Sequence, residues 1–148
     1  MSRVLLLIGM LWIVLNISPP SKSQDYESFK KKHLVFSKNI VKCRDEMKKR
    51  KLTNADGTCK RTNSFIYVNN AKDKRALLDL CKDQKNCTTV VSKTKFNVTT
   101  CKLNGKNKPC TYPNARPHKE TITICCEKRP VHLGRCIKSK LGCKLERN

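Results

Sequence analysis

The chain has 148 residues with ten cysteines, 33 lysines and arginines against 11 acidic residues, and only 5% aromatic residues. Its length suits a single domain. No two cysteines have the Cys-x-x-Cys spacing, which excludes the common zinc-binding and thioredoxin-like redox classes. The formal net charge of +22 indicates a polyanionic partner, namely nucleic acid, heparin-like glycans or anionic membranes, without choosing among them.

Residues 1–23 have the pattern of a secretory signal peptide. A basic start at Arg3 is followed by an apolar run from Val4 to Ile17, too short to span a bilayer, and then by a small, polar stretch. We expect cleavage before Gln24 and secretion of residues 24–148, with an uncleaved anchor as the less favoured alternative. The leader holds two basic residues and no acidic ones, so the mature charge is near +20.

All ten cysteines lie in the predicted mature chain. In a small secreted chain this number predicts up to five disulfides. Because aromatic residues are few, the core is expected to be small, and the bridges supply stability that burial alone does not.

The first predicted helix covers residues 25–36. It places Tyr26, Phe29, His33 and Phe36 on roughly one face, because they are spaced by three, four and three residues. By pattern alone, a histidine on such an apolar face is more often structural than functional.

Two more helices are predicted in the first half, over residues 40–50 and 73–82. The former ends in the basic run 48–51, which is typical of a solvated face. The apolar sides of the two helices are Ile40, Cys43 and Met47 in the former, and Leu77, Leu80 and Cys81 in the latter.

The second half is predicted to be β-rich. Residues 88–98 and 120–127 alternate in polarity, and residues 129–133 form a short companion strand. Two candidate glycosylation sequons fall here, at Asn97 and at Asn86, the latter with a cysteine in its middle position.

Strand alternation also assigns directions to individual side chains, because neighbours on a strand face opposite sides. Cys126 is in phase with Ile122 and Ile124 and should face the core, whereas Cys125 should face outward or toward a terminal loop. His132 lies between two apolar residues and is therefore predicted to be displayed rather than packed.

Four segments, taken in order, resemble the pancreatic-type ribonuclease superfamily, and within it the secreted amphibian ribonucleases with cytotoxic and lectin-like members. The first resembles the family's opening helix with its catalytic histidine, and the second its Cys-Lys-x-x-Asn-Thr-Phe signature. The last two resemble the final hairpin and its Pro-Val-His-Phe motif. The segments are Gln24 to His33, Cys59-Lys60-Arg61-Thr62-Asn63-Ser64-Phe65, Cys126-Glu127, and Pro130-Val131-His132-Leu133.

The resemblance implies an α+β fold, V-shaped, with three helices packed on a curved antiparallel sheet. It also implies the disulfides Cys43–Cys101, Cys59–Cys110 and Cys81–Cys126. The other four cysteines do not match the usual amphibian positions, and their three possible pairings stay open. They are Cys87, Cys125, Cys136 and Cys143.

The resemblance further implies cleavage of RNA on the 3′ side of pyrimidines, with no metal and no cofactor. The reaction needs a base for the 2′-hydroxyl, an acid for the departing 5′-oxygen and a cation for the phosphoryl oxygens. In the family's pattern these are His33, His132 and Lys60. The product is a 2′,3′-cyclic phosphate that is hydrolysed later, and DNA is spared because it lacks the 2′-hydroxyl.

Other roles are carried over residue by residue. Lys32 matches a phosphate-contacting lysine, Asn63 and Ser64 contact the pyrimidine, and Glu127 helps to hold the purine beyond the cleaved bond. Ser64 replaces a threonine, and Leu133 replaces the phenylalanine beside the acid histidine. We expect a weaker or shifted pyrimidine preference and not a loss of activity.

Two function classes follow. The leading one is a monomeric, secreted endoribonuclease acting on single-stranded RNA, with a digestive, defensive or cytotoxic role left open. The alternative is a cationic defence protein that binds glycans or membranes and keeps only vestigial ribonuclease activity. The joint presence of His33, Lys60 and His132 favours the enzyme.

Gln24, as pyroglutamate, is expected to fold back near Lys32, and His118 is expected at the surface.

Overall fold

A computed structural model describes residues 25–106 and 108–146 of the chain. The predicted signal peptide, residues 1–23, and the predicted pyroglutamate at Gln24 lie outside these residues. Within the described ranges, no helix combines the length and the apolar character that crossing a membrane requires.

Three helices form in the first half of the described chain: α1 (Tyr26–His33), α2 (Cys43–Lys49) and α3 (Ala71–Asp79). Asp25 caps α1 by accepting a 2.9 Å hydrogen bond from the Ser28 backbone amide. The chain turns extended after His33, where strand β1 (Leu34–Val35) pairs in parallel with the strand that contains Tyr67.

The helix predictions were right in number and wrong at several ends. The first helix stops at His33, so Phe36 lies outside it and is 47% exposed. The second begins at Cys43, and Ile40, predicted to be buried, is 67% exposed. Cys43, Met47, Leu77 and Cys81 are buried as predicted.

In the part of the chain that the structure describes, nine strands form three sheets. A four-stranded sheet has the order β1-β2-β4-β5, a three-stranded sheet has the order β3-β6-β7, and β8 and β9 form a separate hairpin. The strands after β1 are β2 (Thr62–Tyr67), β3 (Thr88–Val91), β4 (Phe96–Lys102), β5 (His118–Glu120), β6 (Thr123–Glu127), β7 (Arg129–Leu133), β8 (Cys136–Ser139) and β9 (Gly142–Leu145).

All strand pairings other than β1 with β2 are antiparallel. The predicted strand over residues 129–133 is confirmed. The long predicted strand over residues 88–98 is divided in two, and between the two strands the buried Ser92 donates a hydrogen bond from its hydroxyl to the Thr94 carbonyl at 2.8 Å.

Two hydrophobic clusters hold the elements together. One packs α1 and α3 against the sheet of β6 and β7 around Phe29, Leu77 and Ile124. The other packs α2 against β2 and β4 around Met47 and Phe65. The α+β class is therefore confirmed, with helices covering twisted, largely antiparallel sheets.

Five disulfides staple this frame. Three are the pairs that the resemblance implies, Cys43–Cys101, Cys59–Cys110 and Cys81–Cys126. The remaining four cysteines pair as Cys87–Cys143 and Cys125–Cys136. The last two bridges tie the β8–β9 hairpin to the sheet that contains β3 and β6.

That hairpin also explains two differences from the predicted side-chain directions. Cys125 points to the terminal segment as predicted, yet it is fully buried, and a register shift lies between Cys125 and Cys126. His132 is only 7% exposed rather than displayed, because the hairpin lies over its face of the strand and places the Cys143 carbonyl against its ring.

Candidate active site

A cavity of about 410 Å³ opens between the end of α1, the start of β2 and the strands β6 and β7. Its wall also includes Glu120, the last residue of β5, Thr121 from the segment between β5 and β6, and Leu145 from the C-terminal hairpin. Five of the predicted site residues line it: His33, Lys60, Asn63, Ser64 and Leu133.

His33 is the last residue of α1, on the same buried face as Phe29. Its Nδ1 lies 2.9 Å from the Ser64 main-chain carbonyl. A carbonyl only accepts, so Nδ1 carries the proton and donates it, and Nε2 of the neutral ring remains free to take up a proton. Burial lowers the pKa of His33 to about 4, and the charges of Lys60 and Lys32 act in the same direction.

Lys60 is held by a chain of hydrogen bonds. Its Nζ donates to Oδ1 of Asn63 at 2.9 Å, and Nδ2 of Asn63 donates to the Lys32 carbonyl at 3.0 Å. The Lys60 carbonyl accepts from the Tyr112 hydroxyl at 2.7 Å, and the Cys59–Cys110 bridge lies immediately beside it. Burial, aided by the charge of Lys32, lowers the pKa of Lys60.

Ser64 contributes two different groups to the cavity. Its carbonyl holds His33, and its hydroxyl lies 2.8 Å from the hydroxyl of Thr100, its direct partner on β4. Thr100 could not be identified from the sequence, because only the register of β2 against β4 brings the two hydroxyls together.

His132 lies on β7, opposite Cys125 of β6. Its Nε2 lies 3.0 Å from the main-chain carbonyl of Cys143, so Nε2 carries a proton and donates it. Burial lowers the pKa of His132, the hydrogen bond to Cys143 opposes that shift, and the charge of Lys32 adds to it. The charge of His132 in turn lowers the pKa of His33.

Three predicted site residues, Lys32, His132 and Glu127, do not line the cavity. Glu127 is exposed at the end of β6 and has a carboxylate oxygen within 4.8 Å of the sulfur atoms of Cys87 and Cys143. His118 is exposed as predicted, and its Nε2 lies 3.0 Å from the Glu120 carboxylate.

The structure also adds residues that sequence reasoning did not find. The Cys143 carbonyl and the Leu145 side chain reach the site from a hairpin that begins after the last recognised motif. The two cysteines of this segment, Cys136 and Cys143, were a signal that disulfides fix it to the rest of the fold. Their spacing did not show to which strands they are bonded.

Known ribonucleases match this chain over most of its length. The family described as pancreatic ribonuclease matches residues 24–134. Angiogenin of Oryctolagus cuniculus is 35% identical over 138 residues, which are 83% of this chain and 86% of that protein.

Solved structures agree with this match. Green turtle egg white ribonuclease is 28% identical with a TM-score of 0.58, covering 76% of this chain and 98% of its own. Cytotoxic ribonucleases from Rana catesbeiana, solved in complex with d(ApCpGpA) and (2′,5′CpG), are 36% identical with a TM-score of 0.54, covering 75% of this chain and 94% of theirs.

The disulfide-stapled α+β fold and these matches define a nuclease of the hydrolase class. The chain belongs to the pancreatic ribonuclease family, and it is a pancreatic-type ribonuclease, an RNA endonuclease. Its five disulfides are consistent with an extracellular location.

Proposed function

We propose that the protein is secreted and cleaves single-stranded RNA on the 3′ side of pyrimidines, with His33 as base, His132 as acid and Lys60 as the stabilising cation. The observation that carries the proposal is the pair of opposed ring states. His33 offers a free Nε2 and has a pKa of about 4, whereas the Nε2–H of His132 is bound to the Cys143 carbonyl, which leaves Nδ1 to carry the proton of the acid.

In the first step, Nε2 of His33 takes the proton of the ribose 2′-hydroxyl, and the 2′-oxygen attacks the phosphorus. The phosphorus–O5′ bond breaks, and Nδ1 of protonated His132 gives its proton to the departing 5′-oxygen. The products are a 2′,3′-cyclic phosphate and a free 5′-hydroxyl. Hydrolysis follows with the roles reversed. His132 takes a proton from water as the water oxygen attacks the phosphorus, the phosphorus–O2′ bond breaks, and His33 returns a proton to the 2′-oxygen.

Lys60 stabilises the charge that builds on the non-bridging phosphoryl oxygens. Its hydrogen bond to Asn63 and its anchored main chain keep the ammonium in place before the substrate arrives, which is the arrangement that electrostatic catalysis requires. Lys32 adds a second cation beside the two histidines and is proposed to contact the substrate phosphate.

Asn63 and Ser64 are proposed to select the pyrimidine. The Ser64 hydroxyl is a donor and an acceptor and already has a partner in Thr100, so the base competes with or joins that hydrogen bond. Leu133 lines the same cavity and offers an apolar contact. Glu127, against the Cys87–Cys143 bridge, is proposed to meet the nucleotide on the far side of the cleaved bond.

One assay tests the proposal: cleavage of UpG and CpG between pH 5 and 7 by the wild type, His132→Ala and His118→Ala. We expect wild-type cleavage, a loss of at least about a hundredfold for His132→Ala, and no change for His118→Ala, whose ring is exposed and paired with Glu120. A wild type that leaves both dinucleotides and total RNA intact would sink the proposal.

The surface charge supports a second candidate, a cationic defence protein that binds anionic glycans or membranes. The predicted mature chain carries a charge near +20, and the same charge attracts RNA phosphates. The His132→Ala variant separates the two. If it kills cells or bacteria at full strength, surface binding and not RNA cleavage is the biological activity, and if the killing is lost, cleavage is required.

Monomeric action, pyroglutamate at Gln24 and glycosylation remain proposals of the same kind. Asn97 is exposed on β4, whereas Asn86 precedes a cysteine that is bonded to Cys143. We expect Asn97 to be the occupied sequon of the two, which peptide mass spectrometry of the secreted protein would test.

A further inference from the structure

The C-terminal hairpin, β8 and β9, lies next to the catalytic cavity although the family match ends at residue 134. It is fastened at both strands. Cys136 on β8 is bonded to Cys125 of β6, and Cys143 on β9 is bonded to Cys87, which directly precedes β3. A further bond of 3.1 Å runs from the Cys136 amide to the Thr89 hydroxyl.

Resting on the proposed function, we propose that this hairpin is part of the active site, in which the main-chain carbonyl of Cys143 fixes the orientation and tautomer of His132. The carbonyl accepts from Nε2 at 3.0 Å, so Nδ1 is the ring nitrogen left to carry the mobile proton. Cys143 is thus a positioning residue, and it acts through its backbone rather than its side chain.

The anchor is well suited to this task. The side chain of Cys143 is tied through its disulfide to the sheet that carries His132, and its carbonyl projects from a paired strand. Donor and acceptor are therefore both held before substrate binds, and no flexible side chain must be ordered to orient the ring. The same hydrogen bond favours the protonated ring and opposes the effect of burial on the pKa of His132.

The hairpin also approaches the cavity with a side chain. Leu145 lines the cavity wall, and its Cδ2 would lie 3.1 Å from a Cβ placed on Gly134. Gly134 has a φ of +123°, a backbone conformation that side chains other than glycine rarely adopt. Gly134 thus leaves room for the Leu145 side chain of the hairpin two residues after His132.

The test replaces one main-chain amide by an ester, which leaves every side chain in place. Putting the α-hydroxy analogue at Lys144 turns the Cys143 carbonyl into an ester carbonyl, a weaker acceptor. Cys143 itself offers the ligation junction for a synthetic C-terminal peptide. The matched control is the same change at Glu146, which removes the 2.9 Å bond from its amide to the Arg135 carbonyl and leaves Cys143 intact.

Nitrogen-15 NMR of the imidazole gives the first measurement, and it does not depend on catalysis. In the wild type, neutral His132 should be the Nε2–H tautomer. The ester at Lys144 should mix the tautomers and lower the pKa of His132, and the ester at Glu146 should do neither. An unchanged tautomer and pKa in the Lys144 ester would overturn the proposal.

Kinetics on CpG give the second measurement. We expect kcat at pH 7 to fall about three- to tenfold in the Lys144 ester with KM nearly unchanged, and the falling limb of the pH profile to move to lower pH. Equal losses in both esters would reduce the hairpin to a structural role and overturn the proposal. If the wild type does not cleave RNA but the NMR shift appears, the proposed function fails while the positioning of His132 stands.

A double variant tests the bridge itself. Cys87→Ala with Cys143→Ala keeps the carbonyl but releases β9 from the sheet. We expect mixed His132 tautomers and a smaller loss of kcat than in the Lys144 ester. A pure Nε2–H tautomer in this variant would show that the bridge does not hold the carbonyl in place, which contradicts that part of the proposal.

Discussion

The Lys60 ammonium donates a 2.9 Å hydrogen bond to the amide oxygen of Asn63, three residues later in the chain. The amide nitrogen of Asn63 is bound in turn to the carbonyl of Lys32, directly before His33. One side chain thus connects the proposed cation to the helix that ends in the proposed base. Because the amide orientation is set by both neighbours, Lys60 and His33 are positioned together.

Removing that cation should lower catalysis without removing RNA binding. We expect Lys60→Ala to reduce kcat on CpG by about 10²- to 10³-fold, as the loss of one preorganised charge at a reacting centre typically does. Arg61→Ala is the control, since it removes one exposed positive charge from the next position. A similar loss in both variants would mean that overall charge, and not the placement of Lys60, drives the rate.

The activity should have an acidic optimum. The rate rises as His33 loses its proton, near its pKa of about 4, and falls as His132 loses its proton, at a pKa held below the usual 6.5 by burial. We therefore expect kcat/KM on CpG to peak between about pH 4 and pH 6.5. Profiles at low and high salt provide the control. Salt screens Lys32 and Lys60, so both limbs should move slightly to higher pH.

Acid should also destabilise the fold, through protonation of the His33 ring. The pKa of His33 is about 4 in the folded protein and near 6.5 when unfolded, so between these values the unfolded chain binds more protons. The contribution of His33 to the free energy of unfolding is thus fully present above pH 6.5. It is lost as the pH falls toward 4, by up to about 3 kcal/mol.

Denaturant unfolding at pH 7 and pH 4.5 measures that loss. His33→Asn should show a shallower decline between the two values, because asparagine cannot take up the proton. His118→Asn, at an exposed position, should decline as the wild type does. Equal declines in all three proteins would assign the acid sensitivity to other groups.

Much of this frame could be predicted from local pattern and motif. The strand over residues 129–133 and the burial of Phe29, Cys43 and Cys126 follow from periodicity, because each faces the core through its own element. Two short motifs identified the cavity residues. His33 closes the segment that begins at Gln24, and Lys60 directly follows Cys59.

What failed depends on contacts between distant segments. Strand alternation placed His132 on an open face, and it could not reveal that residues 136–145 fold back over that face. Periodicity likewise placed Ile40 in a helix that begins only at Cys43. Whether a side chain is buried depends on the segments that pack over it. The local spacing of apolar residues does not show which segments those are.

Base selection should respond to both hydroxyls that meet on β2 and β4. Ser64→Ala should lower kcat/KM on CpG and UpG by about tenfold or more, because the group proposed to read the base is lost. Thr100→Val keeps the Ser64 hydroxyl but removes its 2.8 Å partner. We therefore expect the ratio of kcat/KM on CpG to kcat/KM on UpG to change more than the sum of the two values. Rates identical to wild type in Ser64→Ala would remove Ser64 from the recognition site.

Arg50 should prove structural, although it lies in the run 48–51 that was predicted to be solvated. Its Nη1 donates to the carbonyls of Lys31 at 3.0 Å and Leu34 at 2.8 Å, at the end of α1. Its Nε lies 2.6 Å from the Glu46 carboxylate, and its guanidinium lies 5.0 Å from the centre of the Phe65 ring.

These contacts fasten the helix that ends in His33 to α2 and β2. We expect Arg50→Ala to lower the free energy of unfolding by about 2–3 kcal/mol, since carbonyl partners and a stacked ring are lost together. The exposed Lys49→Ala should stay within about 0.5 kcal/mol of wild type. Arg50→Lys should fall between them, because an ammonium cannot reproduce the planar fork. Denaturant titration measures all three. A loss for Arg50→Ala no larger than that for Lys49→Ala would mean that Arg50 is a solvated residue of the run 48–51 without a structural role.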